Sequence, residues 1–128
     1  MAGLRLRAAC PEASILVLGP TDRMMRTRAG VVLVQGVDKI ITAQRLACAE
    51  NGCAYWNTKR RMGGSTSIRD WMTAGLGQGD YVHLTVPGYD KLAELLFGDM
   101  MHLYDQYQKV HVPAPPTQIS DGQQSQSN

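Results

Sequence analysis

The chain has 128 residues and a mass of 14.0 kDa, which is enough for one small domain. Apolar residues make up 44% of it and charged residues 19%. This composition is typical of soluble globular proteins and unlike that of disordered or fibrous chains. The longest aliphatic runs span four residues, far short of the roughly 20 that a membrane-spanning helix needs. The net charge of +2 argues against a dedicated nucleic-acid binder.

The first strong element is a strand. Residues 13–19 contain a continuous aliphatic run, 15–18, without alternation, which predicts a strand buried on both faces, as in the centre of a parallel sheet. The turn residues from Gly19 to Asp22 end it. Ligands in such sheets bind beyond the carboxyl ends of the strands, so we expect this loop to form one wall of a site. Residues 23–36 fit either a strand or an ordered loop.

A helix and a second strand follow. Helical periodicity begins at Val37, and Asn51 with Gly52 supplies its stop. Residues 53–56 predict a short buried strand, so that strand, helix and strand form a parallel α/β unit. Cys10, Cys48 and Cys53 match neither a zinc framework nor a complete disulfide set.

The C-terminal half is dominated by one helix. Residues 57–79 show no long periodic run apart from a short helix at 67–74. A long amphipathic helix is predicted from Thr85 to Tyr107, with Thr85 and Pro87 as its start signal. The Pro-, Gln- and Ser-rich residues 109–128 are expected to form a disordered tail. No secretory signal is visible, and no compartment is predicted.

Asp80 and His83 are the residues best suited to chemistry. An Asp three positions before a His, in a turn, can accept the imidazole Nδ1–H; this fixes the tautomer and leaves Nε2 free as a general base. Alone the motif is weak, since chance gives roughly one match in five chains of this composition. A second copy, Asp99 and His102, falls inside the long helix, where a surface pair is the ordinary explanation.

Other polar and aromatic candidates have simpler interpretations. Ser65 and Ser67 follow two glycines, but the pattern lacks the x-Gly of a nucleophile elbow. A loop on the substrate side, with a short helix capped by Ser65 or Thr66, explains them better than a nucleophilic role. Trp56 and Trp71 are interpreted as core aromatics rather than sugar platforms.

The neighbourhood of Asp80 and His83 carries a family resemblance. The run Asp80-x-x-His83-Leu84-Thr85-x-x-Gly88-Tyr89 resembles the last sequence block of the SGNH (GDSL-type) hydrolases. Residues 15–23 look like the strand and loop after the family's Asn block. Residues 44–56 and 62–71 are similar to bacterial acyl-esterases that deacetylate cell-wall or other polysaccharides. The resemblance covers about residues 12–107.

The resemblance implies part of a three-layer α/β/α, flavodoxin-like fold with parallel strands, its N-terminal strands missing. It also implies a serine esterase in which His83 is the general base and Asp80 orients it. The family's Gly-Asp-Ser nucleophile block and its two oxyanion blocks have no counterpart here, and losing one oxyanion donor alone costs roughly 100- to 1,000-fold in rate. Residues 1–108 are therefore predicted to be the C-terminal part of a hydrolase, inactive or nearly so alone.

The expected substrates are O-acyl esters, chiefly acetyl esters, of a small molecule or polysaccharide, with no metal or cofactor and no nucleic acid. An alternative is a non-catalytic α/β module that docks to a partner chain. A phosphate or nucleotide binder is a weaker option, because no Gly-x-Gly-x-x-Gly or Walker pattern occurs. In a truncated hydrolase a parallel strand without its neighbours exposes a sheet edge and an apolar face, so aggregation or self-association through the sheet is expected.

Overall fold

The computed structural model describes residues 2–111. The chain divides into two units, one ending at Phe97 and one beginning at Gly98. No helix in the described part is long and apolar enough to cross a membrane. In chain order the elements are α1 (Ala2–Ala9), β1 (Leu16–Leu18), β2 (Met24–Thr27), β3 (Gly30–Leu33), α2 (Val37–Glu50), β4 (Ala54–Trp56), α3 (Thr58–Met62), α4 (Ser67–Thr73) and α5 (Val86–His111).

The predicted parallel α/β unit is confirmed. β1 and β4 pair in parallel, with Leu16 opposite Ala54 and Leu18 opposite Trp56. A parallel pair needs a long crossover connection, and α2 lies in that connection. The fold is therefore mixed α/β with parallel strands, as the sequence predicts.

The prediction that β1 is buried on both faces is wrong for this chain. Leu16 is 41% exposed and Leu18 is 50% exposed. The reason is that β1 has β4 as its single strand partner within residues 2–111. Burial of a parallel strand depends on neighbours at both edges and on both faces. The structure thus leaves an uncharged, apolar strand edge open.

Residues 23–36, which the sequence left ambiguous, form an antiparallel hairpin of β2 and β3. Thr27 pairs with Gly30 across a two-residue turn made of Arg28 and Ala29. Such turns usually carry Asn-Gly or Asp-Gly, and neither is present here. The missing turn signal explains why periodicity alone did not decide between a strand and a loop.

Three helices depart from the sequence prediction, two by being present and one by its length. α1 and α3 were not predicted; α3 is five residues long, too short to show a period. Its start does carry a local signal, because Asn57 Oδ1 accepts a hydrogen bond from Arg60 N at 3.0 Å. α5 continues to His111, beyond the end predicted at Tyr107. The rest of the predicted tail, residues 112–128, lies outside the described residues.

The core is assembled from β2, α3, α4 and the loop that follows α4. Ile68 is completely buried, and Trp71 Nε1 donates a hydrogen bond to Met62 O at 2.9 Å. Trp56 and Trp71 are 9% and 7% exposed, so the prediction that both are core aromatics is confirmed. The buried cluster consists of Met24, Met62, Ile68, Trp71 and Leu84.

The first prediction concerns this core. Ile68→Ala should lower the free energy of unfolding by about 2–5 kcal/mol, because it removes buried methyl groups and leaves a cavity. Ile40→Ala, at a position on α2 that is 50% exposed, is the matched control and should cost about 1 kcal/mol or less. Urea unfolding followed by circular dichroism measures both; equal losses would contradict the assignment of the core.

Candidate active site

The candidate site is a tight loop between α4 and α5. Gly77 and Leu84 form an antiparallel bridge, and Gln78 N donates to His83 O at 2.8 Å. The Gln78 side chain adds a bond from Nε2 to Leu84 O at 3.0 Å. These bonds close the chain on itself, so Asp80 and His83 sit on one short, cross-linked turn.

The middle of this turn is strained. Tyr81 has a φ of 63°, in the left-handed region that a non-glycine residue adopts at a cost. Contacts from β2 hold it there. Met24 N donates to Tyr81 O at 3.0 Å, Arg26 Nη2 donates to Gly79 O at 3.1 Å, and the Arg26 guanidinium lies 5.2 Å from the centre of the Tyr81 ring.

The carboxylate of Asp80 uses both of its oxygens. Oδ2 lies 2.6 Å from His83 Nδ1, while Oδ1 accepts hydrogen bonds from Val82 N at 2.9 Å and His83 N at 3.0 Å. The side-chain bond from His83 and then the two backbone bonds lower the pKa of Asp80 from 3.8 to about 2. At neutral pH the carboxylate is an acceptor only, so Nδ1 carries the shared hydrogen.

His83 presents its ring to solvent. Its side chain is 65% exposed and that of Asp80 is 45% exposed, whereas the next residue, Leu84, is 1% exposed. Thr85 then starts α5 as predicted, since its Oγ1 accepts from Gly88 N at 3.2 Å and donates to Gly75 O at 2.8 Å. A Cβ at Gly88 would collide with Leu76 O, so this helix start requires a glycine.

The structure brings the predicted pair together and leaves the serines apart from it. Ser67 is 4% exposed and donates to Gly64 O at 2.8 Å. Within residues 2–111, no serine hydroxyl lies at hydrogen-bonding distance from His83. The prediction of a cap at Ser65 or Thr66 is confirmed in position, because Thr66 is the N-cap of α4. Its φ is 72°, and its side chain makes no capping hydrogen bond.

Asp22 performs the capping role instead, and sequence reasoning missed it. Its side chain is buried, with 1% of the residue exposed, and its Oδ2 accepts a hydrogen bond from Ile68 N at 3.1 Å. Ile68 lies in the first turn of α4, where backbone N–H groups have no partner in the helix. The two residues are 46 positions apart, so no local motif could indicate the contact.

The remaining candidates keep structural roles. His102 Nε2 lies 2.9 Å from Gln106 Nε2 on the surface of α5. Cys48 is 6% exposed, as a small hydrophobic residue would be, and burial raises the pKa of its thiol. In the described part of the chain, no three His, Cys, Asp or Glu side chains cluster closely enough to hold a metal ion.

No protein-family model matches the sequence, and no curated protein matches it. A solved structure of a peptidoglycan O-acetylesterase superposes on 82% of this chain with a TM-score of 0.73 and 24% sequence identity. This likeness shows that the two chains share the mixed α/β fold. The chain spans 30% of the length of that esterase chain.

The second prediction tests the Asp80–His83 bond. His83→Ala should raise the pKa of Asp80 from about 2 towards 3.8, because the largest cause of its depression is the imidazole. A depressed pKa means that the ionised carboxylate stabilises the fold above the unfolded value, and that this contribution is lost as the pH falls towards 2. The carboxyl carbon shift of Asp80, followed by NMR from pH 6 downwards, reports the change.

His102→Ala is the matched control, because it removes a histidine from the other Asp-x-x-His copy. It should leave the titration of Asp80 unaltered. An Asp80 titration that is the same in both variants would show that the 2.6 Å contact is absent in solution.

Proposed function

We propose that this chain is the C-terminal part of an SGNH-type serine esterase that hydrolyses O-acetyl esters on carbohydrate, such as cell-wall polysaccharide. The observation that carries the proposal is the 2.6 Å contact between His83 Nδ1 and Asp80 Oδ2. It supports the roles of general base for His83 and of orienting carboxylate for Asp80. The likeness of the fold to a peptidoglycan O-acetylesterase supports the substrate class.

The chemistry follows from the tautomer. With its hydrogen on Nδ1, His83 offers the lone pair of Nε2 towards solvent, where a serine from outside this chain can approach. The serine oxygen attacks the ester carbonyl carbon as Nε2 takes the hydroxyl proton, and the alcohol leaves with that proton. Water then attacks the acyl carbon and gives a proton to the same nitrogen. The bond from that carbon to the serine oxygen breaks, Nε2 returns the proton to the serine oxygen, and acetic acid is released, which ionises to acetate.

Asp80 contributes orientation and charge. It stays ionised at neutral pH because its pKa is about 2, and it faces the imidazolium that forms in each step. Its two backbone hydrogen bonds hold it in place. The nucleophile and the oxyanion donors belong, on this proposal, to another part of the protein.

A second candidate is a non-catalytic module that docks to a partner. The open edge of β1, with Leu16 and Leu18 exposed, favours it. Natural sheets protect such edges with charges, prolines or bulges, and none of these interrupts the Leu-Val-Leu strand. The same edge supports self-association of the chain.

The third prediction tests the esterase proposal on a longer polypeptide. It consists of this chain preceded by the residues encoded in the same reading frame directly upstream. That frame should encode a Gly-Asp-Ser block, and the product should hydrolyse acetyl esters. His83→Ala should reduce kcat/KM by roughly 100- to 10,000-fold, the range for loss of a general base. His102→Ala should leave kcat/KM unaltered.

A fluorophosphonate probe should label the longer polypeptide and not the 128-residue chain, in which Ser67 is buried and hydrogen-bonded. Full esterase activity in the His83→Ala variant would overturn the proposal. Labelling of a serine in the 128-residue chain would instead assign the nucleophile to Ser65 or another residue present here.

The fourth prediction concerns the edge of β1. The 128-residue chain should associate with rising concentration, and Leu18→Lys should shift it towards monomer because a charge on the edge opposes strand pairing. Leu46→Lys introduces the same charge at a residue of α2 that is 60% exposed and should have no such effect. Sedimentation velocity distinguishes the two variants; a wild-type chain that is monomeric at every concentration would exclude self-association.

A further inference from the structure

One side chain of the hairpin makes two contacts with the turn that carries Asp80 and His83. Arg26 lies on β2, and its Nη2 donates to Gly79 O at 3.1 Å. The same guanidinium lies 5.2 Å from the centre of the Tyr81 ring, within the range of a cation–π contact. Because Gly79 and Tyr81 are the chain neighbours of Asp80, Arg26 holds the turn on both sides of the orienting carboxylate.

The turn needs such contacts because its own backbone opposes its conformation. Tyr81 has a φ of 63°, and this left-handed conformation is unfavourable for a residue with a Cβ. A hydrogen bond from a charged donor and a cation–π contact contribute free energies of the same order as this strain. One of the two contacts is made with the ring of the strained residue itself. Arg26 therefore favours the observed conformation of the turn over relaxed alternatives.

The strained conformation sets the hydrogen-bond geometry of Asp80. Its Oδ1 accepts from Val82 N at 2.9 Å and from His83 N at 3.0 Å, while its Oδ2 lies 2.6 Å from His83 Nδ1. Both amides follow Tyr81 in the chain, so a change of φ at Tyr81 moves them relative to the carboxylate. Since Arg26 bonds the residues on either side of Asp80, we expect its effect on the imidazole to pass through the backbone of the turn.

We propose that Arg26 is a positioning residue for the candidate base: by holding the turn around Asp80, it keeps the His83 imidazole in the orientation that catalysis requires. It acts through the turn and not on the reacting atoms. The kinetic consequence rests on the proposed function, whereas the effect on the turn does not. Misplacement of a catalytic group by about an ångström costs roughly 100-fold in rate, so a loosened turn should lower kcat and leave KM nearly unaltered.

The first measurement is an NMR titration of Asp80 in the 128-residue chain. The pKa of Asp80 is lowered to about 2 by hydrogen bonds from the His83 side chain and from the backbone of His83 and Val82, so it reports whether the turn is intact. Arg26→Met keeps a long side chain without the charge or the donors, and should raise this pKa by about half a unit or more. The nuclear Overhauser effect between the amide and α hydrogens of Tyr81, which is strongest at positive φ, should weaken. If neither readout changes, the proposal is wrong.

Two further variants separate positioning from a general effect of charge. Arg28→Met removes the same charge from the exposed turn of the same hairpin and should alter neither readout. Tyr81→Gly permits a positive φ without strain, so in that background Arg26→Met should raise the pKa of Asp80 less than it does with tyrosine present. A direct electrostatic effect of Arg26 would give the same increase in both backgrounds, which would contradict positioning through the turn.

The conservative variant covers the case in which Arg26→Met fails to fold. Arg26→Lys keeps a cation near the Tyr81 ring but lacks the planar fork of the guanidinium. It should raise the pKa of Asp80 in the same direction by a smaller amount. Because the charge is retained, such a shift reports the geometry of the turn, and an unaltered Asp80 titration in a folded Arg26→Lys chain together with an unaltered Tyr81 spectrum would count against the proposal.

The second measurement is the kinetics of the longer polypeptide described above. Arg26→Met should lower kcat about tenfold or more and change KM less than about twofold, and Arg26→Lys should restore part of kcat. A higher KM with kcat unaltered, or the same loss of kcat in Arg28→Met, would refute the positioning role. A wild-type polypeptide without esterase activity would refute the proposed function instead, and the NMR readouts of the 128-residue chain would then decide the role of Arg26.

Discussion

The burial of Leu84 is the constraint on which the candidate site depends. Leu84 is 1% exposed and packs in the cluster that contains Ile68 and Trp71. Because the residue after His83 is anchored in the core, the His83 backbone is fixed and its ring, 65% exposed, is directed outwards. With the backbone fixed, the His83 side chain can still rotate, and its hydrogen bond to Asp80 selects one orientation of the ring. A catalytic base needs both constraints, since misplacement by about an ångström is costly in rate.

The left-handed conformation of Tyr81 illustrates how the hairpin contributes to this geometry. A turn with such a residue is unfavourable by itself, yet it allows Asp80 to accept from two consecutive backbone N–H groups and from the imidazole. β2 compensates through Met24 N and the Arg26 side chain. The hairpin therefore acts as a support for the turn, although nothing in its own sequence suggests such a role.

Local patterns predicted the elements with strong periodicity and the contact with short sequence separation. The strand at Leu16–Leu18, the helix at Val37–Glu50 and the Asp80–His83 bond all follow from residues near one another. Features that depend on distant residues were not predictable. Asp22 caps a helix 46 positions away, and the exposure of β1 depends on which strands lie beside it, information that its aliphatic sequence does not contain.

One short loop connects these features. Asp22 caps α4, and Met24, two residues later, packs in the core and donates a hydrogen bond to the Tyr81 carbonyl. The short segment after β1 therefore holds both the first turn of α4 and the turn that carries Asp80. Because this segment follows β1 directly, the end of the parallel strand and the candidate base lie on connected parts of one unit.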